Sequence, residues 1–169
     1  MGKKSLSLFI GPPRETNEDH TIFSRFLASS GRKAVCGGTT ARIAARVLDR
    51  DIVVPLESPE TGTPPMGFIP GIDLVTEGVI TLNGALAILS GKKGSQAPAS
   101  PRTGGPDGSE KLAAELTRAR EIRLWVGRGA DQSIEPLLSS HGLMVKTEVV
   151  ERLIRTLFER HKQVTVIRV

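Results

Sequence analysis

The stretch Arg32-Lys-Ala-Val-Cys-Gly-Gly-Thr-Thr-Ala-Arg-Ile-Ala-Ala-Arg46 decides how this chain is read. Ala34–Cys36 is a short apolar run of strand character. It breaks at Gly37-Gly38 and passes two hydroxyl residues, Thr39 and Thr40. It then enters a segment where Ile43, Ala44, Val47 and Leu48 recur at helical spacing. Glycine lets the backbone turn through positive φ and leaves no side chain in a ligand's way. The helix start offers N–H groups with no intrahelical acceptor and the positive end of the helix dipole. A phosphate or carboxylate fits such a turn. The plainer reading is a tight strand-to-helix connection in which Thr39 or Thr40 caps the helix.

Outward from this unit, strands and helices alternate. Leu6–Ile10 reads as a strand ended by Gly11-Pro-Pro. Thr16 or Asn17 is placed to cap a helix with Glu18 and Asp19 in its first turn, an apolar stripe of Ile22, Phe23, Phe26 and Leu27, and Gly31 as its stop. Asp51–Val54 and Ile72–Thr76 read as short strands and Thr81–Leu89 as a helix. Ser109 is placed to cap a helix bearing Leu112, Ala113 and Leu116, and Glu121–Val126 is a strand. Thr147–Lys162 carries a stripe of Val149, Val150, Leu153, Ile154, Leu157 and Phe158, with Arg160, His161 and Lys162 suited to its negative end. Val164–Val169 is a final strand. Such alternation predicts an α/β fold: a mostly parallel sheet of five or six strands with helices on both faces.

The 169 residues suit a single α/β domain spanning 1–169. Two segments, 55–71 and 91–108, are dense in Pro and Gly. The first contains Met66, Phe68 and Ile69 and is expected to pack as a loop; the second has no large apolar residue and is expected to be a flexible insert. The net charge of +5 favours anionic partners. With one Trp, five Phe and no Tyr there are few stacking platforms, so nucleic acid is not the expected partner. A single cysteine excludes an internal disulfide and suits a reducing cytoplasm. No apolar run reaches membrane-spanning length, so no membrane association is expected.

In a parallel sheet, ligands bind beyond the carboxyl ends of the strands. The segments leaving those ends supply the candidate ligand-binding residues: Gly37, Gly38, Thr39, Thr40, Asp73, Glu77, Gly127 and Arg128. Asp73 and Glu77 are four apart, which puts them on one face of either a helix turn or a strand, so they are candidates for a metal or for acid–base work. A helix cap and an ion-pair partner is the plainer role. Arg128 is placed to meet an anion, with Asp131 or Gln132 reading a ribose or amide. Cys36 at the strand end has the position of an activated thiol, but no partner base is evident, and a buried small side chain is the preferred reading. Gly91-Lys-Lys-Gly94 leads into the insert and reads as linker. His20, His141 and His161 have no Cys/His partner at zinc spacing. Walker and dinucleotide fingerprints and a serine elbow are absent.

The segments Val35-Cys-Gly-Gly-Thr-Thr-Ala-Arg-Ile-Ala-Ala-Arg46, Pro70-Gly-Ile-Asp-Leu-Val-Thr-Glu-Gly-Val-Ile-Thr-Leu82 and Val149–Val169 together carry a family resemblance. The chain resembles the C-terminal module that follows the catalytic domain in bacterial PPM-type serine/threonine phosphatases of the stage II sporulation protein E-like group, some found with iron hydrogenase systems. The likeness spans nearly the whole chain apart from the insert. It implies a cytoplasmic regulatory or sensing module with a phosphatase or hydrogenase-system partner. The metal-binding Asp-Gly motif set of the phosphatase domain is not here, since Asp107-Gly108 falls in the insert. The loop after Glu121–Val126 is also shorter than that resemblance implies.

The leading expectation is therefore a non-catalytic module binding a small anionic ligand, a nucleotide or phosphorylated metabolite, at Gly37–Thr40. One alternative is an enzyme of phosphoryl or acyl transfer using Asp73 and Glu77 with Mg2+. A second is an interaction domain that takes no ligand.

Overall fold

The computed structural model describes residues 4–53, 67–91, 108–129, 138 and 140–169. Five strands, β1 (Ser5–Ile10), β2 (Arg32–Cys36), β3 (Leu74–Thr76), β4 (Glu121–Val126) and β5 (Gln163–Arg168), form one sheet. Their order is β3-β2-β1-β4-β5, and every pairing is parallel. The helices are α1 (Asp19–Ala28), α2 (Gly38–Leu48), α3 (Val79–Leu89), α4 (Gly108–Arg118) and α5 (Lys146–Glu159). The chain thus winds outward from β1 in one direction, then returns to β1's other side, a doubly wound order with its switch between β1 and β4.

Period-two alternation in β1 sends side chains to two separate cores. Leu6, Leu8 and Ile10 join Ile122, Leu124 and Val126 beneath α3, α4 and α5. Phe9 faces the other way with Val35, Val75 and Trp125, covered by Ile22, Phe23 and Phe26 of α1 and Ala41, Ala44 and Ala45 of α2. Phe9 stacks on Phe23 at 4.3 Å and on Trp125 at 6.0 Å, with Phe26 edge-on at 5.2 Å. The parallel sheet with both faces covered matches the architecture expected from the alternation. Among the described residues, no helix is long and apolar enough to cross a membrane.

Several local expectations are corrected. Thr16 and Asn17 do not cap α1: Thr16–Glu18 forms a 3-10 turn, and Asp19, buried, opens the helix while accepting a hydrogen bond from Arg46 of α2 at 3.0 Å. Asp51–Val54 is not a strand as far as it is described. Val53 makes only an antiparallel bridge to Phe68, and Gly67 bridges to Val75 at the β3 edge. Ile69 is fully buried there and Phe68 is exposed; residues 54–66, most of the expected packed loop, and 92–107, most of the expected insert, lie outside the described residues. Ser109 lies inside α4 rather than capping it, and its hydroxyl donates to the Thr81 carbonyl at 3.3 Å.

The basic cluster after α5 serves other helices. Arg160 donates from Nε and Nη2 to the Leu89 carbonyl at the end of α3, at 3.2 and 2.7 Å. Lys162 donates to the Thr117 and Ala119 carbonyls at the end of α4, at 2.6 and 2.7 Å. Cations meet negative helix ends as charge logic demands, but across tertiary contacts. Asn83 of α3 makes a comparable tie: its amide donates to the Val79 and Met144 carbonyls and accepts from the Met144 N–H, each at 2.9 Å. Asn83 is buried, so Asn83→Ala leaves the Met144 groups unsatisfied. Urea unfolding should show a loss of about 2–3 kcal/mol with an unchanged m-value.

Candidate functional site

Register fixes the carboxyl rim of the sheet. Thr76, Cys36, Ile10, Val126 and Arg168 form one row across five strands. The next residues are Glu77, Gly37, Gly11, Gly127 and Val169, so three adjacent strands all leave the sheet through glycine. Backbone bonds continue past the strand ends: Gly37 N–H to Thr76 O at 3.0 Å, Gly11 N–H to Cys36 O at 3.3 Å, and Gly127 N–H to Ile10 O at 2.8 Å.

The switch between β1 and β4, where a doubly wound sheet ordinarily parts to admit a ligand, is closed here. Gly11, Pro12, Pro13 and Gly127 are buried, and Gly129 N–H donates to Pro12 O at 3.0 Å. A Cβ on Gly127 would collide with the carbonyls of Gly11 and Pro12. Lys146, at the start of α5, donates to Gly127 O at 2.9 Å and Gly129 O at 3.4 Å. Gly127 is therefore glycine for close packing, a correction to its expected ligand role. Arg128 is exposed on this rim, its N–H spent on Val169 O at 2.7 Å. Strand spacing puts the β4 exit roughly 10 Å from the β2 exit. Asp131 and Gln132 lie outside the described residues.

One strand away the rim opens. Gly37 (φ 128°) and Gly78 (φ 150°) turn the chain out of β2 and β3, and they pack so closely that a Cβ on Gly78 would lie 3.3 Å from the Gly37 Cα. Helix α2 then begins at Gly38 with no side-chain cap, no acid in its first turn, and its first backbone bond from Ala41 N–H to Gly37 O at 2.9 Å. The N–H groups of Gly38, Thr39 and Thr40 precede that bond and have no acceptor within the helix. Neither threonine caps the helix. Thr39 is exposed, and Thr40 is fully buried with its Oγ1 turned toward Gly37, 3.0 Å from where a Cβ there would sit. No hydrogen-bond partner satisfies that Oγ1.

Gly38 stands apart from its neighbours. It is exposed, its φ is ordinary, and a Cβ added there would meet nothing within 4 Å. Neither the backbone nor packing demands glycine at this point.

The structure separates the two expected carboxylates. Glu77 is half-buried on the carboxyl rim, its backbone carbonyl 3.9 Å from the Cβ position of Gly37. Asp73 lies at the opposite end of β3, about 13 Å away at the usual rise per strand residue. Its carboxylate accepts from Lys33 N–H at 2.7 Å and pairs with Arg32 at 3.3 Å. Asp73 is thus an ion-pair partner at the amino rim, and even spacing delivered a shared face without delivering proximity. Among the described residues, no three His, Cys, Asp or Glu side chains gather as a metal group.

Cys36 is buried beneath the turn, its Sγ 2.9 Å from Thr76 Oγ1 and 3.6 Å from the Gly78 carbonyl. Burial pushes the thiol up to about 12; the Thr76 hydrogen bond opposes this and the Glu77 charge adds to it. It is a neutral packing residue, not a nucleophile.

Sequence reasoning passed over Arg42, which lies one turn into α2 and donates from Nη2 to Thr39 Oγ1 at 3.4 Å. The i, i+3 spacing from Thr39 was the available signal. It also passed over Lys146, which no local pattern marks.

No family model, curated protein or solved structure matches the chain.

Two outcomes follow from these placements. The native thiol stays protonated while an unfolded one ionises near 9. The stability this difference gives is complete below pH 9 and is lost as pH rises toward 12. Chemical denaturation from pH 8 to 10.5 should therefore decline more steeply for the native chain than for Cys36→Ala, and with no Tyr present no phenol obscures the comparison. Asp73→Asn should cost about 1 kcal/mol or less, given the exposure of its ion pair. Its melting curve should keep the native chain's response to added phosphate.

Proposed function

We propose that this protein is a non-catalytic module that holds a small anionic ligand, bearing a phosphate or carboxylate, at the turn from β2 into α2. The observation that carries the reading is Gly38. Alanine in place of glycine stabilises a fold by about 0.4–1 kcal/mol where the backbone accepts it, and Gly38 has an ordinary φ and open space for a Cβ. What glycine provides there is an uncovered stretch of backbone amide at the positive end of α2. A local rule broken without structural need points to function. The unsatisfied hydroxyl of Thr40 beneath the same turn supports the reading.

Support for a binding role over catalysis comes from the surroundings of the turn. Cys36 is neutral, and Asp73, the expected acid–base companion of Glu77, is bonded at the far rim. The regulatory setting, beside a PPM-type phosphatase or a hydrogenase-system protein, rests on the family resemblance. Under this reading, the occupied turn is what such a partner senses.

Backbone NMR and thermal melting test this together. Titration with inorganic phosphate, AMP, glucose 6-phosphate and citrate should move the Gly38, Thr39 and Thr40 amide signals with at least one of them. At a hundredfold excess over Kd, that probe should stabilise the fold by about 2.7 kcal/mol. Gly38→Ala should raise the ligand-free stability by about 0.5 kcal/mol and weaken the response to the probe. If none of the four moves those amides, the binding reading fails and the interaction-domain alternative takes its place.

A further inference from the structure

We infer that the group held at this turn is a doubly charged oxyanion, the phosphoryl end of a phosphate monoester, and that Arg42 is the residue selecting it over a carboxylate. This rests on the anion-binding reading above.

Arg42 folds back along α2 until its guanidinium reaches the Thr39 hydroxyl, at 3.4 Å. That places a permanent cation beside the positive end of a helix with no acid in its first turn. A charge arranged this way is repelled by the helix and, among the described residues, gains one long hydrogen bond in return. An anion on the amides reverses the balance, because it attracts the helix end and the guanidinium together.

The donor set then distinguishes among anions. The exposed Gly38 and Thr39 supply two amide N–H groups at the surface, and the Thr39 hydroxyl keeps its own proton while accepting from Arg42. The Thr40 hydroxyl, fully buried and unsatisfied, forms the floor of the turn. Guanidinium adds a planar fork suited to two oxygens of one group. A carboxylate has two oxygens and one charge for these donors. A phosphate monoester has three terminal oxygens and nearly two charges at neutral pH, so it engages more of them and feels the local field about twice as strongly. Glu77 bounds the turn on the β3 side. The amides, the hydroxyls and the Arg42 guanidinium all donate, so the site does not depend on a proton carried by the ligand, and sulfate should occupy it as well.

The test is amide-resolved NMR titration of the whole chain at pH 8 and constant ionic strength, with inorganic phosphate, sulfate, phenyl phosphate and acetate. The three dianions should bind about tenfold or more tightly than acetate. Arg42→Gln, at an exposed position that leaves the fold intact, should weaken phenyl phosphate about tenfold and leave acetate within about twofold. Acetate binding as tightly as phenyl phosphate, or Arg42→Gln leaving phenyl phosphate unchanged, would overturn the selection of a phosphoryl group while the anion site itself stood. Signals at Gly38–Thr40 unmoved by all four probes would overturn both.

Discussion

The described fold is arranged around β1, the central strand of the five, with two parallel strands on each side of it. A parallel strand has no hairpin to set its register, so its partners must be delivered by helical crossovers that bury both faces. The alternation from Leu6 to Ile10 meets this demand with an aliphatic face and an aromatic one. It also levels the carboxyl ends of the strands, since Ile10 is in register with both Cys36 and Val126. The candidate site is a product of that levelling. Once the row is set, the first residues beyond it must either close over their neighbours or stand open.

Two chemistries emerge along one rim from that choice. At the β1–β4 switch, Gly11, Pro12, Pro13 and Gly127 are buried, and the backbone bonding runs on past the sheet. At the β2–α2 turn, the positive φ of Gly37 and Gly78 turns the chain out of the sheet, and α2 starts with Gly38 and Thr39 exposed. The candidate turn thus lies one strand away from the customary ligand position of a doubly wound sheet. Glycine serves in both places for opposite reasons: close approach at Gly127, open approach at Gly38.

The sequence made the fold legible because its signals were local. Glu121–Val126 occupies its expected bounds, and of the stripe expected on α5, Val149, Val150, Leu153 and Leu157 are buried, Ile154 is half-buried and Phe158 is exposed. Failures fell where partners distant in sequence decide. Val53 has a strand-like neighbourhood but makes an antiparallel bridge to Phe68, and the described residues 51–53 form no strand of the sheet. Asp73 and Glu77 share a face in any regular structure, yet pattern alone does not say that a strand lies between them from one rim to the other. At the site, the open double-glycine turn was readable from glycine and hydroxyl placement. The closure around Gly127 was not, because it depends on Pro12 carbonyls more than a hundred residues earlier.

The tertiary clamps made by Arg160 and Lys162 bear on how the chain matures. Both residues follow every segment whose carbonyls they secure. On a ribosome, α3 and α4 emerge with their terminal carbonyls facing water, and β4 emerges with one side of its ladder vacant. Those helices are completed only when the segment from Arg160 onward has been synthesised and docked. Folding of the second half is therefore tied to the end of translation of this segment, and intermediates that stop before it present both an open strand edge and two frayed helices to the cell's quality control.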